Sequence, residues 1–111
     1  MTNAWLVRLC EFHRHPGMYV DQVGKQSITA FIRGFERGWP KSTYVKDLVA
    51  ILSDSHGVRF GPLGWPEQID RLARRRHSTW VATYFQVAEE VLGPAGKREL
   101  RRWNRRLGAY E

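Results

Sequence analysis

A single cysteine, Cys10, leaves this chain of 111 residues with no internal disulfide framework to hold it together. Reducing surroundings suit such a chain, and a cytoplasmic location is expected. No apolar run approaches the roughly 20 residues that a membrane span needs, so no membrane is expected among its partners. The opening MTNAWLVRLCEF is too short, and too interrupted by Arg8 and Glu11, for a secretory signal. Strict alternation of apolar and polar residues never runs long enough to demand a strand. Acidic residues are scarce as well, 11 against 18 Lys and Arg, for a net charge of +7. The excess is uneven: residues 56–111 hold 11 of the basic side chains and only six of the acidic ones. A basic half suits an acidic partner, either nucleic acid or an acidic protein surface.

Aromatic residues are plentiful instead, with five Trp, five Phe and four Tyr in a composition that is 42% hydrophobic. Disordered chains are poor in aromatics, so a folded core is expected. The length fits one domain, residues 1–111.

The periodicity throughout is helical. Residues 3–14 read as a first helix, with Asn3 as its cap and Trp5, Leu9 and Phe12 as its apolar stripe. His15-Pro16-Gly17 ends it, because the residue before proline is pushed out of the helical region. Val20 to Gln26 is a polar connection. Ser27 then caps a second helix, the clearest in the chain, whose Ile28, Phe31, Ile32, Phe35 and Trp39 share one stripe. Phe31, Phe35 and Trp39 are expected to be buried there. Ser42 or Thr43 caps a third helix that runs to about Ser53, with Tyr44, Leu48, Ile51 and Leu52 inward. The stretch from Val58 to Trp65 is rich in Gly and Pro but carries four large apolar side chains, so it should pack on the core. Pro66 suits the first position of a fourth helix, with Trp65, Ile69, Leu72 and Ala73 on one face and Arg71, Arg74 and Arg75 opposite. Arg76 would intrude on the apolar wheel that continues through Trp80, Tyr84, Val87 and Val91, which places a break near His77-Ser78, with Ser78 as the next cap. Gly93-Pro94-Ala95-Gly96 is a second break. The last helix, Lys97 to Leu107, sets Leu100, Trp103 and Leu107 against Arg98, Arg101, Arg102, Arg105 and Arg106. The fold expected is an all-α bundle of five to six helices.

Catalytic and metal chemistry find little support in the sequence. His13 and His15 are two residues apart and would diverge by roughly 200° on a helix. His56 and His77 are isolated, and surface or helix-end positions are expected for all four histidines. Cys10 on an apolar face reads as a small core residue. Neither a metal nor another cofactor is expected. Gly24-Lys25-Gln26-Ser27 echoes the end of a phosphate-binding loop, but position 19, where that motif needs glycine, is tyrosine. Glu89 and Glu90 are adjacent and so diverge on a helix, and no nucleophile elbow appears. No catalytic residue is assigned, and a non-enzymatic protein is expected. The arginine clusters remain: a solvated face, a protein-binding surface or a phosphate-tracking surface would each account for them.

One stretch carries a resemblance. His15-Pro16-Gly17-Met18-Tyr19, a short polar connection, then Ser27-Ile28 and Phe31-Ile32-Arg33-Gly34-Phe35 resemble a family of small bacterial immunity proteins encoded beside polymorphic toxins. Trp65 with Gln68-Ile69, and Tyr84-Phe85 with Val87, Glu90, Val91 and Leu92, are similar to that family's C-terminal helices. His15 stands where the family carries arginine. The resemblance covers about two thirds of the chain and implies a protein that neutralises a cognate toxin by direct protein–protein binding. Given the charge, the expected partner is an acidic toxin surface facing Arg71, Arg74 and Arg75, or Arg98, Arg101, Arg102, Arg105 and Arg106. The alternative is a small basic nucleic-acid-binding regulator. Pro-Gly-Met-Tyr also occurs in gyrase-type ATPases, but nothing here supplies their asparagine-bearing helix or glycine-rich lid.

Overall fold

The computed structural model describes residues 4–107, with side chains described over residues 4–93. Helical spacing of the apolar residues becomes five α-helices: α1 (Ala4–Arg14), α2 (Lys25–Gly38), α3 (Tyr44–Ala50), α4 (Trp65–Arg75) and α5 (Trp80–Leu107). A 3₁₀ turn, Pro16–Met18, follows α1, and α3 runs on into one wide π turn, Ile51–Ser55. No strand occurs among the described residues. The chain is an all-α bundle with a radius of gyration of 13.3 Å, close to the roughly 13 Å of a compact domain this long. Asn3, expected to cap α1, lies outside the described residues.

At the centre of the bundle is a polar chain that joins three helices. His13 of α1, fully buried, donates from Nδ1 to the Leu9 carbonyl at 2.7 Å. That bond fixes the tautomer, so its Nε2 accepts from the Tyr84 hydroxyl of α5 at 2.8 Å. Tyr84 in turn accepts from the Tyr44 hydroxyl of α3 at 2.7 Å. Burial pushes the His13 pKa down to about 4, against a smaller opposing effect of the Leu9 bond. It also raises those of both tyrosines, so all three stay neutral at pH 7. His13 is therefore no surface histidine, as its helix-end position suggested. It sits one turn after Leu9, on the face that α1 turns to α3 and α5.

Aromatic rings fill the space around this chain. Phe12 stacks on Phe31 of α2 with centroids 3.9 Å apart, and Trp80 stacks on Tyr84 at 5.4 Å, with Trp65 tilted against both. Ile28, Ile32 and Phe35 bury the stripe of α2, while Phe31 is half-buried. Trp39 is a correction: it is exposed. The helix ends at Gly38, and Trp39 leaves it with φ −129° and ψ 71°, so the wheel no longer governs where its ring points. Ser27 does not cap α2 from outside either. It is the third helical residue, and its Oγ reaches back to accept the Gly24 amide while donating to the Gln22 carbonyl.

The ends of the other helices differ by a residue or two from expectation. Ser42 Oγ accepts the Tyr44 amide at the start of α3. At α5 the cap is Thr79, not Ser78, since Thr79 Oγ1 takes the Ala82 amide. Gly64 delivers the chain into α4 with φ 75° and ψ −164°, which a side chain would resist, so Trp65 precedes Pro66 as the first helical residue. The break near His77 is real. His77 adopts φ 53°, its amide bonds the Arg74 carbonyl and the Ser78 amide bonds that of Ala73, a Schellman stop with histidine in the position glycine usually holds. The later break is confined to Gly93, at φ 79° and ψ −168°, and helix resumes directly after it.

Candidate functional site

The surface built by α4 and the segment before it gathers the chemistry that the arginines promised. Trp65, Ile69, Leu72 and Ala73 are buried as expected, joined by Gln68, and this sends Arg71, Arg74 and Arg75 to solvent. Each of the three has a partner within the chain. Arg74 pairs with Asp70 at 2.6 Å and Arg71 with Glu67 at 3.6 Å, both across one helical turn. Arg71 also donates to the Arg59 carbonyl at 3.5 Å, and Arg75 to the His56 carbonyl at 2.9 Å.

Gln68, Arg71 and Arg75 thus form a row on α4 that holds the backbone of residues 56–59. The Gln68 amide supplies the buried member, donating to the Val58 carbonyl at 2.8 Å. From the other side, the Val58 amide bonds the Leu52 carbonyl at the π turn. The segment beyond is only half packed. Val58 and Trp65 are buried, but Phe60 and Leu63 are 55% and 69% exposed, which corrects the expectation that all four apolar side chains meet the core. The Gly64 amide bonds the Gly61 carbonyl, closing a turn with Pro62 and Leu63 at its tip, and a tip cannot reach back to the bundle.

The break near His77 keeps Arg76 off the apolar wheel that an unbroken helix would have forced on it. The Schellman stop ends α4 at Arg75, and Arg76 turns toward α5. Its Nη1 donates to Gln86 Oε1 at 3.0 Å and its Nη2 to His56 Nδ1 at 3.1 Å. A guanidinium only donates, so Nδ1 is an acceptor and His56 carries its proton on Nε2. That proton faces Glu90, whose two oxygens lie 2.9 and 3.1 Å away. His56, half-buried, therefore links a cation to a carboxylate and is not an isolated surface residue. Sequence spacing could not bring Arg76, His56 and Glu90 together, because they sit on three different segments.

The second expected cluster, Arg98, Arg101, Arg102, Arg105 and Arg106, lies outside the described side chains. Among the described residues no three His, Cys, Asp or Glu gather where they could hold a metal ion, and no helix is long and apolar enough to cross a membrane. No family model, curated protein or solved structure matches the chain significantly.

Proposed function

We propose that the protein is a non-enzymatic immunity protein that neutralises a cognate bacterial toxin by direct binding, with α4 in the interface. The observation that carries this reading is the cationic face of Arg71, Arg74 and Arg75, turned to solvent, with Arg71 and Arg75 anchored on the backbone of residues 56–59. A fixed surface loses little side-chain freedom when a partner docks. The exposed Arg74–Asp70 pair is weak, as exposed pairs are, so exchange for a partner's carboxylate costs little. Cationic charge steers an acidic partner into contact, and shape complementarity sets the slow off-rate that protects a cell. The resemblance of the His15 to Tyr19 turn and the Ser27-led helix to immunity proteins points the same way.

Nucleic acid is the alternative partner for the same arginines. Glu67 and Asp70 stand among them on the exposed side of α4, and a phosphate backbone would meet both carboxylates. Binding to DNA or RNA should accordingly be weak, non-specific and lost near physiological salt.

Co-expression with the toxin domain of the neighbouring reading frame tests the proposal. Wild type should protect, and reversing Arg71, Arg74 and Arg75 to Glu should abolish protection with the circular dichroism still helical; Arg74→Glu alone, which breaks no backbone brace, should weaken protection with melting near wild type. Failure of wild type to protect would remove the immunity reading. Protection undiminished by reversal here, and by reversal of Arg98, Arg101, Arg102, Arg105 and Arg106, would remove the electrostatic interface alone.

A further inference from the structure

Phe60, just before the turn from Gly61 to Gly64, and Leu63, at its tip, are apolar and exposed. The backbone on both sides of them is tied down by the Gln68, Arg71 and Arg75 side chains and by the Gly64-to-Gly61 bond. Their exposure is thus the product of a fixed turn, not of a loose end. Single exposed apolar side chains are ordinary, but two held outward by a braced turn forgo burial that a partner can supply. The electrostatics around them are net positive. Residues 56–76 carry five arginines and two carboxylates, and both carboxylates are already paired to arginines of their own helix.

We infer that the turn of residues 60–63 and the adjoining arginines of α4 form one docking surface for an acidic polypeptide segment that carries large apolar side chains. The apolar groups seat on Phe60 and Leu63, and the carboxylates meet Arg59, Arg71 and Arg74. This rests on the immunity reading only for the source of the segment, a toxin surface. A phosphate backbone would leave Leu63 in water, since an aliphatic tip offers a nucleic acid neither charge nor a stacking face. An anionic membrane recruits clusters of roughly four to eight basic side chains, more than the Arg59, Arg71 and Arg74 of this surface. The chemistry therefore selects a protein.

Fluorescence anisotropy at physiological salt, with the full chain and labelled synthetic peptides, tests the inference. One peptide intersperses Asp with Leu and Phe. The second replaces its Leu and Phe by Ser, and the third replaces its Asp by Asn. The acidic apolar peptide should bind at least about tenfold more tightly than either relative. The double variant Phe60→Ser, Leu63→Ser should lose that preference with its melting temperature unchanged. Arg33→Glu with Arg37→Glu, on α2, should leave it intact. Equal binding of the three peptides would overturn the inference, as would absent binding of the acidic apolar peptide. So would tighter binding of single-stranded RNA or of phosphatidylserine vesicles that depends on Phe60 and Leu63. Co-expression separates the two proposals: protection by wild type and equally by the Phe60, Leu63 variant removes this surface and leaves immunity standing. Peptide preference without protection by wild type does the reverse.

Discussion

Acid should unfold this protein earlier than its surface charges require, because His13 cannot accept a proton in place. In the folded chain its pKa lies at about 4, against about 6.5 for an unfolded histidine. Above pH 6.5 both states leave it neutral and stability is at its reference level. Between 6.5 and 4 the unfolded state binds one more proton than the native state, so stability falls with pH by up to about 1.4 kcal/mol per unit. The loss amounts to about 2 kcal/mol at pH 5 and levels off near about 3 kcal/mol below pH 4. Since whole domains are stable by only about 5–15 kcal/mol, this is a large share. Urea unfolding followed by tryptophan fluorescence at pH 7.5, 6.5, 5.5 and 4.5 (roughly unit steps across the window) would measure the limb. The His13→Gln variant, which cannot titrate there, is the control. Its limb should be shallower by the amount above, whatever its stability at neutral pH. Identical limbs in the two proteins would refute the reasoning, as would an NMR titration of the native His13 ring with a midpoint above pH 6.

The neighbouring tyrosines should rank by their place in the chain. Tyr84→Phe removes the middle hydroxyl and should cost about 1–3 kcal/mol, whereas Tyr44→Phe removes only the terminal donor and should cost about 1 kcal/mol; the reverse order in urea midpoints would show that the hydroxyls are wired differently. Phe35→Ala should cost roughly 3–5 kcal/mol by opening a cavity under α2, and a loss under about 1 kcal/mol would move that face to the surface. His77→Gly should raise stability by about 0.5–1 kcal/mol, because relief of the left-handed backbone exceeds the entropy that glycine adds to the unfolded chain. A lowered melting temperature would mean that the imidazole makes a contact worth more than the strain.

Helices were legible from residues alone because period and punctuation agreed. Leu9 and Phe12, Ile28 and Ile32, Ile69 and Leu72 all repeat at helical spacing and all are buried. Three kinds of feature were not legible, each for a physical reason. His13 falls on the apolar face of α1, but its partners Tyr44 and Tyr84 are 31 and 71 residues away, and no local pattern encodes such pairing. Trp39 and the turn of residues 60–63 depend on where the backbone leaves helical geometry, which the wheel cannot represent. The candidate surface was half visible. Arg71, Arg74 and Arg75 face solvent because the opposite side of α4 is apolar. The second task of Arg71 and Arg75, bracing the carbonyls of Arg59 and His56, arises only once that segment folds back along the helix.

The polar chain through His13 also bears on how the protein is made. Synthesis delivers α1 first, yet the hydroxyl that completes the His13 imidazole arrives 71 residues later. At about 5–20 residues per second a ribosome needs roughly 4–14 s to reach it. Throughout that interval Leu9, Phe12 and His13 have no complete core to enter. The packing of α1 on the bundle must therefore wait for α5, whose Tyr84 completes the surroundings of His13.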